Sequence, residues 1–518
     1  MPATAELDEI KALIGAGRLD DAAERCRRLA ASGQAFSHNE EAELIYLLAI
    51  ITGETGAFQE SLPLYDQARR LMPARADVAY NHGVMLAKCG KLADARRAWQ
   101  DCLKRDVRHR DALFNLGRVN RNLENPAEAA SLFDQLLTIH PGDAEAPYEL
   151  GLARFTMRDW PAAAAAFASA IEAQPDHLNA RINLGLTAQR QGQAERALAH
   201  YDAALAAAPN NLHVHVNRAQ VLLALGRLAE GFAENEWRRH LLDLRFDAGG
   251  RAPWTGEPLD GKTILLFAEQ GVGDAIQFLR YAPAVAERGG RVAVYCHDHL
   301  ASIARRAAGV DTVVGFADAA PAFDTYAPLM SLPHLLGATD LGDIPGDAYI
   351  DRPEPADLGR PSGAKAVGLV WSGNPEHNDD AARSCRLEQL APLASISGVQ
   401  LFSLQVGAGC EQLGAAGDLD IVDLAVEFDD FLDTARALAA LDLLISVDTA
   451  TAHLAGALGV KTWLLLPYAN DWRWFDGADR TPWYATLRLF RQDESRDWAP
   501  VVERVAAELG NCAENTKK

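Results

Sequence analysis

The tripeptide Asn115-Leu116-Gly117 recurs with little change as Glu149-Leu150-Gly151 and Asn183-Leu184-Gly185, and consecutive copies are 34 residues apart. Other positions keep this period: a glycine is followed twelve residues later by alanine and sixteen residues later by an aromatic residue. The glycines are Gly83, Gly117, Gly151 and Gly185, the alanines Ala95, Ala129, Ala163 and Ala197, and the aromatic residues Trp99, Phe133, Phe167 and Tyr201. The pattern predicts pairs of amphipathic helices that cross closely at the small residues and stack into a solenoid.

This period and these residue types resemble the tetratricopeptide repeat (TPR), over about residues 3 to 240. The resemblance implies an α-solenoid of helix pairs, which we assign to residues 1–241. Solenoids of this kind present an extended concave surface to a ligand. We therefore expect this region to bind a partner protein.

A second regularity lies inside the repeat, two residues before the small residue. Asparagine occupies this position in four of five units and Glu149 occupies it in the other; the asparagines are Asn81, Asn115, Asn183 and Asn217. A side-chain amide can pair with both the N–H and the C=O of an extended peptide. The pattern therefore predicts a ladder that holds a peptide backbone along the inner face of the solenoid. The alternative is that asparagine is merely tolerated at this position.

Composition excludes several classes of protein. The 518 residues include 50 Lys+Arg and 71 Asp+Glu, a net charge of −21, which argues against non-specific nucleic-acid binding because that needs a basic surface. Acidic and basic residues interrupt the most apolar stretch, 435–466, so we expect no membrane span. The N-terminus lacks the basic start and apolar core of a signal peptide, and the seven cysteines are scattered. We therefore expect a cytoplasmic protein with free thiols.

The composition changes from Arg251 onward. A turn-rich segment predicts a linker over residues 242–261. Beyond it, short apolar runs of strand length alternate with helical patterns. The runs are 263–268, 291–295, 311–314, 366–371, 400–404, 441–446 and 461–466. The alternation predicts two parallel α/β sheets in tandem, over residues 262–357 and 358–518, with a ligand cleft at the carboxyl ends of their strands.

The segment Gly271-Val272-Gly273-Asp274 directly follows the first predicted strand. Its glycines allow a sharp turn, and Asp274 begins a helix. Two interpretations fit this position. Asp274 either caps the start of the helix or places a carboxylate at the cleft that takes a proton from an attacking hydroxyl.

A second candidate segment, Trp371-Ser372-Gly373-Asn374, follows the first strand of the second set. We expect it to offer a flat aromatic surface and a turn with free N–H groups. His377, Arg383 and Ser384 lie on the polar loop after it. The guanidinium of Arg383 or that of Arg386 suits a phosphate, although an ordinary surface position would also explain both residues.

The most informative segment is Asp448-Thr449-Ala450-Thr451-Ala452-His453, where a strand gives way to a helix. Hydroxyls, backbone N–H groups and an imidazole at one helix start form a cradle for a diphosphate. We therefore favour ligand binding here over a purely structural histidine. Further along the chain, Trp472 and Trp474 either wall the cleft or pack in the core.

Taken together, residues 271–274 and 448–453 resemble the heptosyltransferase-like glycosyltransferases (glycosyltransferase family 9), over about residues 262 to 510. The resemblance implies the GT-B fold, which has two Rossmann-like subdomains and works without a metal or other cofactor. It implies that Asp274 is the catalytic base and that residues 448–453 hold the donor pyrophosphate. Ala450 stands where many members carry glycine, and their lysine-bearing segment is absent here, so we expect Arg383 to substitute for it.

TPR repeats joined to such a domain resemble soluble bacterial protein glycosyltransferases, above all the alphaproteobacterial flagellin glycosyltransferases. The resemblance implies transfer of a sugar, such as the nonulosonic acid pseudaminic acid, from a nucleotide donor to Ser or Thr of flagellin bound by the repeats. The expected contacts of the nucleotide sugar are Gln270, Gly271, Gly273, Trp371, Ser372, Gly373, Asn374, His377, Arg383, Ser384, Gln405, Asp448, Thr449, Thr451 and His453. The alternatives are transfer to lipopolysaccharide or another glycan, and an inactive scaffold that only binds.

Overall fold

Paired helices make up the chain before its first strand. The computed structural model describes residues 3–33, 35–242, 244–377, 379–415 and 419–514, and the chain divides into two units, Met1–Thr187 and Ala188–Lys518. The α-helices of the described residues before the first strand are α1 (Ala3–Gly15), α2 (Leu19–Ala31), α3 (His38–Glu54), α4 (Phe58–Leu71), α5 (Ala76–Lys88), α6 (Leu92–Leu103), α7 (Arg110–Asn122), α8 (Pro126–Ile139), α9 (Ala146–Thr156), α10 (Trp160–Ala173), α11 (Leu178–Arg190), α12 (Ala194–Ala207), α13 (Leu212–Ala224) and α14 (Leu228–Asn235).

Close packing inside each helix pair depends on the small residues of the repeat. A Cβ atom at Gly117 would lie 2.6 Å from the ring of Phe133, and one at Gly83 would lie 2.5 Å from the indole of Trp99. Both rings are buried. Because only glycine leaves room for these rings, the predicted pairing of small and aromatic residues is confirmed at both positions.

The second unit begins with the last repeat helices and continues into a four-stranded parallel sheet. The strands, in the order β3-β2-β1-β4, are β1 (Thr263–Phe267), β2 (Arg291–Cys296), β3 (Thr312–Gly315) and β4 (Thr325–Pro328). The helices of this half are α15 (Val272–Phe278), α16 (Ala282–Ala286), α17 (Ala301–Ala304) and α18 (Leu332–Leu335). Since β1 pairs on both sides, the segment that follows it leaves from the middle of the sheet.

A six-stranded parallel sheet follows. The strands, in the order β10-β9-β8-β5-β6-β7, are β5 (Lys365–Val370), β6 (Val399–Ser403), β7 (Ile421–Asp423), β8 (Leu443–Val447), β9 (Thr462–Leu466) and β10 (Leu487–Arg491). The helices of this half are α19 (Asp380–Arg383), α20 (Ala391–Ala394), α21 (Glu411–Ala415), α22 (Phe431–Ala440), α23 (Ala450–Ala457) and α24 (Ala499–Glu514). Strands β8 and β9 are buried along their whole length, which explains their continuous apolar sequence.

Short 3-10 helices complete the secondary structure. They are Glu236–Leu241, Leu279–Tyr281, Asp298–Leu300, Leu329–Ser331, Leu341–Asp343, Leu387–Leu390, Ala425–Glu427 and Trp472–Trp474. Within the described ranges, no helix is long and apolar enough to cross a membrane.

The solenoid and the two parallel sheets confirm the predicted fold class, but the strands β4, β7 and β10 were not predicted. All three lie at sheet edges. Edge strands are short and carry polar residues, so they lack the continuous apolar run of a central strand. In β10, for example, Arg488 and Arg491 interrupt the apolar residues of the five-residue strand.

Of the predicted linker, 242–261, residue 243 lies outside the described residues, and residues 244–261 include aromatic side chains that pack against the first sheet. The ring of Phe246 meets those of Phe267 and Tyr326 edge-on, with centroids 5.2 and 5.5 Å apart. Trp254 is only 1% exposed, and its backbone N–H donates to the carbonyl of Tyr326 at 2.8 Å. The segment is therefore part of the core of this half.

A buried ion pair attaches the 3-10 helix Glu236–Leu241 to the first sheet. Arg238 donates to Glu269 Oε1 at 2.7 Å and to Ser331 Oγ at 2.9 Å. The side chains of Arg238 and Glu269 are 3% and 1% exposed. Burial raises the pKa of Glu269, and the charge of Arg238 offsets this effect only in part. Each charge therefore depends on the other.

We expect Glu269→Ala to lower the free energy of unfolding of the second unit by about 3–5 kcal/mol, because the charge of Arg238 would stay buried without its carboxylate. Urea denaturation followed by tryptophan fluorescence will measure the change. Arg360→Ala is the control, since it removes an exposed pair with Asp442 that contributes less than about 1 kcal/mol. Equal losses in the two variants would contradict the expectation.

Candidate functional site

The starts of α15 and α23 pack against each other. Helix α15 follows β1 of the first sheet and α23 follows β8 of the second. A Cβ atom on Gly273 would lie 3.1 Å from His453 Cδ2 and 3.6 Å from the Cα of Ala450, so a larger residue at position 273 would displace the imidazole. The structure thus brings together the two predicted segments 271–274 and 448–453 at the carboxyl ends of their strands.

Both carboxylate oxygens of Asp274 are engaged. Its Oδ2 accepts the backbone N–H of Gly271 at 3.0 Å. The interpretation of Asp274 as the residue that caps and begins the helix is wrong, because Gly271 is the N-cap of α15 and Asp274 is the third helical residue, whose side chain reaches back to that N-cap. Its Oδ1 forms an ion pair with Arg473. The position of the candidate base is therefore fixed by α15 itself and by a cation from the second sheet.

Arg473 is the centre of the site. It is 8% exposed, pairs with Asp471 at 2.8 Å and donates its Nε–H to Gln277 Oε1 at 2.5 Å. Its guanidinium carbon lies 4.3 Å from the centroid of the Trp472 ring. Burial lowers the pKa of Arg473, but Asp471 and Asp274 outweigh burial, and the pKa is raised. The cation is therefore held in place by carboxylates from both halves.

The loop that carries Arg473 has a strained backbone. Phe475 has φ 53° and ψ 177°, a region that residues with a side chain rarely adopt. Arg491 stabilises the loop through Nη1 to Asn470 Oδ1 at 2.5 Å and through Nη2 to the carbonyl of Trp474 at 2.6 Å. Strain that is held by such contacts is typical of functional loops.

His453 lies buried on the first turn of α23. A hydrogen bond of 2.8 Å joins its Nδ1 to the hydroxyl of Tyr484, and its ring stacks on Trp474 with centroids 5.3 Å apart. Its Nε2 lies 3.8 Å from Asp448 Oδ1. The other oxygen of Asp448 accepts the indole N–H of Trp474 at 2.8 Å. Asp448, His453 and Trp474 thus form one connected cluster.

Two pKa values in this cluster are shifted. Burial lowers the pKa of His453 well below its ordinary value, and Arg473, Arg280 and Arg383 lower it further. The imidazole is therefore neutral near pH 7. Burial and the nearby Asp471 raise the pKa of Asp448 to about 6. Both shifts reduce the charge that these two buried groups carry.

Arg383, the predicted phosphate ligand, lies within electrostatic range of this cluster, since its charge acts on both Asp448 and His453. Its Nε donates to Asp380 Oδ1 at 3.3 Å. Ser384 Oγ donates to the same oxygen at 2.9 Å and accepts the backbone N–H of Gly373 at 2.9 Å. Ser384 therefore holds the turn that precedes Arg383.

Two expectations for the segment after β5 are wrong. The ring of Trp371 is completely buried, because a strand covered on both faces buries the side chain at its end, so it offers no flat surface to a ligand. The backbone N–H groups of Trp371 and Ser372 are not free, since both donate to Gln405 Oε1, at 3.0 and 2.9 Å. Gln405 is itself 1% exposed. It positions this turn from inside the protein.

The other predicted contacts lie around the same cluster of segments. Gln270, Asn374 and His377 are exposed. Thr449 Oγ1 lies 3.1 Å from Ser446 Oγ, and Thr451 is half-buried on the first turn of α23. Their contact with a nucleotide sugar stays a prediction.

In the first unit, tyrosines of the preceding helix pair brace the asparagine ladder. Amide N–H groups donate to tyrosine hydroxyls in the pairs Asn81–Tyr46 at 2.7 Å, Asn115–Tyr80 at 3.3 Å and Asn183–Tyr148 at 3.3 Å. At the ladder position occupied by Glu149, the residue that corresponds to these tyrosines is Phe114, which has no hydroxyl group. Glu149 instead forms ion pairs with Arg118 and Arg121, at 3.5 and 3.2 Å. The tyrosine bond uses one of the four hydrogen-bonding positions of each amide. Binding of a peptide by the ladder stays a prediction.

The last repeat contacts the loop of the candidate site within the second unit. Helix α13, which carries Asn217, packs against the turn Trp472–Trp474. Phe232 on α14 meets Trp472 edge to face, with ring centroids 6.3 Å apart. The end of the solenoid is therefore adjacent to the turn that holds Arg473.

Several residues of this site were not predicted from the sequence. Trp472 and Trp474, which were expected either to wall the cleft or to pack in the core, are both buried in the core. The arginine between them was the available signal for a cation held against aromatic rings. Asp471, Gln277 and Tyr484 gave no signal, because their roles depend on contacts between distant segments.

A family model described as "Tetratricopeptide repeat" matches residues 80–144, 148–211 and 182–236. TPR repeats therefore form this part of the chain, which confirms the prediction from the 34-residue period. A repeat of this class is a protein-binding scaffold.

Among curated proteins, the chain is similar to Protein FlbA of Caulobacter vibrioides, with 28% identity over 336 residues, 57% of this chain and 54% of that protein. The chain thus spans about half the length of this relative.

Several solved structures are also similar to this chain. MamA of Desulfovibrio magneticus RS-1 is 20% identical with a TM-score of 0.32 and covers 34% of this chain and 99% of its own. YrrB, described as a TPR protein with an unusual peptide-binding site, is 22% identical with a TM-score of 0.32. The match covers 35% of this chain and 97% of the YrrB chain. PilF of Pseudomonas aeruginosa is 15% identical with a TM-score of 0.35. The match covers 42% of this chain and 96% of the PilF chain.

We expect the stability of the wild type to fall relative to that of His453→Gln as the pH is lowered below about 6.5. The unfolded chain takes up a proton at His453 in this range, whereas the folded protein keeps the imidazole neutral. The difference should grow by at most about 1.4 kcal/mol per pH unit. Asp448 acts in the opposite sense, because its raised pKa makes the folded protein lose stability as the pH rises from about 4 to about 6.

Urea denaturation at a series of pH values measures this difference in unfolding free energy. His334→Gln is the matched control, because His334 is exposed and should give a curve parallel to that of the wild type. If the unfolding free energy of His453→Gln also ran parallel to that of the wild type across this pH range, the folded protein would not hold the imidazole neutral.

Proposed function

We propose that this protein is a GT-B glycosyltransferase that moves a sugar from a nucleotide donor to Ser or Thr hydroxyls of a protein, with flagellin as the acceptor. The observation that carries the proposal is the contact between Asp274, Arg473 and the start of α23 with His453. The resemblance to heptosyltransferase-like glycosyltransferases supplies the reaction class. The resemblance to flagellin glycosyltransferases supplies the acceptor and the nonulosonic acid.

In the proposed reaction, Asp274 accepts the proton of the acceptor hydroxyl while the hydroxyl oxygen attacks the anomeric carbon of the donor. The bond between that carbon and the donor phosphate breaks, and its electron pair leaves with the nucleotide phosphate. The capping bond from Gly271 fixes the carboxylate in orientation before the substrates arrive.

Arg473 connects the donor to the base. A donor phosphate is an anion that competes with Asp274 for this guanidinium. When Arg473 turns to the phosphate, Asp274 Oδ1 becomes available for the proton. Arg383 and the N-terminal end of α23 add positive potential where the leaving charge develops. The step needs only these groups of the chain and the two substrates.

The repeats supply the acceptor protein. Each hydrogen bond of the asparagine ladder contributes about 1 kcal/mol, so several are needed to hold a peptide. Asn217 lies on α13, the helix that contacts the turn Trp472–Trp474. This contact favours a protein acceptor over a small glycan.

We expect one of UDP, GDP, CMP or ADP to raise the melting temperature of the full-length protein. A ligand at about 100 times its Kd adds about 2.7 kcal/mol of stability, which amounts to a shift of several degrees. Arg383→Ala should reduce the shift, and Arg360→Ala, an exposed arginine, should retain it. A wild type that none of the four nucleotides stabilises would be a binding scaffold and no transferase.

Asp274→Asn should reduce transfer of sugar to flagellin by about 10²–10⁴-fold, which is the usual contribution of a general base. The amide oxygen can still accept the Gly271 N–H, so the cap of α15 is preserved while the proton acceptor is lost. Intact-mass spectrometry of flagellin co-expressed with each variant measures the transfer.

Two results distinguish the possible failures of the proposal. Flagellin whose mass is unchanged by the wild-type protein would overturn flagellin as the acceptor. Equal modification by the wild type and by Asp274→Asn would overturn the role of the carboxylate. The melting temperature without nucleotide serves as the folding control for the variant.

A further inference from the structure

Arg280, in the 3-10 helix that follows α15, is a cation buried without a carboxylate to balance it. Its side chain is 2% exposed, and it forms no ion pair with an acidic side chain of the described residues. Its Nε donates to the carbonyl of Gln277 at 2.7 Å, and its Nη1 donates to the carbonyls of Pro345, at 2.9 Å, and Trp483. Its Nη2 has no hydrogen-bond partner in the same part of the chain. Burying a charge in this way costs free energy unless another group balances it.

Aromatic rings surround this guanidinium. Its carbon lies 4.4 Å from the ring centroid of Tyr484, 4.9 Å from that of Tyr349 and 5.1 Å from that of Trp483. Ring faces attract a cation, but they carry no net charge. Arg280 therefore leaves a positive charge inside the protein that its neighbours do not cancel.

One side chain separates this charge from His453. The hydroxyl of Tyr484, whose ring lies against Arg280, forms the 2.8 Å hydrogen bond with His453 Nδ1. The opposite edge of the imidazole faces Gly273, because a Cβ atom there would lie 3.1 Å from Cδ2 and 3.7 Å from Nε2. Burial lowers the pKa of His453, and Arg280 is among the cations that lower it further. The field of Arg280 thus reaches the place where the two candidate segments meet.

The other arginines of the site already have acidic partners. Arg473 pairs with Asp274, and Arg383 pairs with Asp380 at 3.3 Å. An anion that binds either of them competes with a carboxylate, whereas the charge of Arg280 has no such competitor. Because Arg280 is buried, its field is also less weakened by water and salt than that of a surface arginine.

We propose that Arg280 supplies the unbalanced positive charge that holds a phosphate of the donor at the start of α23, without touching it. The inference rests on the proposed function and adds a residue to its donor site. A bound phosphate brings the negative charge that the protein lacks around Arg280, so it offsets the cost of burying the cation. Arg280 acts through Tyr484 and His453, which lie in front of it, and is therefore a positioning residue.

The test titrates inorganic pyrophosphate into the full-length protein by isothermal titration calorimetry. Arg280→Gln removes the charge but keeps N–H donors for the surrounding carbonyls, and we expect it to raise Kd about tenfold. Arg352→Gln is the matched control. Arg352 is exposed and also donates to backbone carbonyls, those of Leu458 and Gly459, so its removal should change Kd by less than about twofold.

Arg280→Lys separates charge from packing within one variant, since a buried lysine loses its proton far more readily than an arginine. At pH 6 its Kd should stay within about threefold of the wild type, and at pH 9 it should be about tenfold higher than that of the wild type. The titratable groups that face position 280 are Tyr281, Tyr349 and Tyr484. Burial raises the pKa of each, so all three stay neutral over this range.

Wild-type affinity in Arg280→Gln would overturn the inference. So would an Arg280→Lys variant whose Kd, relative to the wild type, is the same at both pH values, because a purely structural role does not depend on the charge. The comparison of pH values decides the question if Arg280→Gln does not fold.

Two further results distinguish this inference from the proposed function. A wild type that a nucleotide stabilises but that does not bind pyrophosphate would overturn the inference alone. Pyrophosphate binding that depends on the charge at position 280, without stabilisation by any of the four nucleotides, would support the anion site and contradict the transferase.

Discussion

Arg473 is a buried cation, and the carboxylates that balance its charge determine how the candidate site is organised. Burial disfavours the guanidinium charge, which persists because Asp471 on its own loop and Asp274 from the other half lie against it. A buried charge that loses its partner is strongly destabilising. The pairing therefore ties the start of α15 to the Trp472–Trp474 turn, and Trp474 stacks in turn on His453 of α23. The two halves thus share one electrostatic centre.

The last repeat is fixed to both sheets around this centre. Arg238 joins it to Glu269 after β1, and Phe232 joins it to Trp472 after β9. Within the second unit, the last repeat therefore packs against both the segment after β1 and the turn that holds Arg473.

Local periodicity made much of this fold predictable. Two features can be recognised from local sequence patterns alone. One is the spacing of glycines and aromatic residues in the repeat, and the other is the apolar runs that form β8 and β9. The segments 271–274 and 448–453 meet because both follow inner strands of parallel sheets, where such segments converge. Other features depend on tertiary contacts without a local pattern. The pairing of Arg473 with Asp274 spans 199 residues, and the burial of Trp371 results from layers that cover both faces of its sheet.

The charges of the site impose an order on the proposed reaction. Because the pKa of His453 is well lowered, the imidazole brings no positive charge, and a donor phosphate must be recognised by Arg473, Arg383 and the start of α23. Arg473 is already paired with Asp274, so in the proposed reaction an incoming phosphate would take this cation from the proposed base. Asp274 would then gain a free oxygen only when the donor is in place. The acceptor hydroxyl would thus lose its proton only in the presence of the sugar that it attacks.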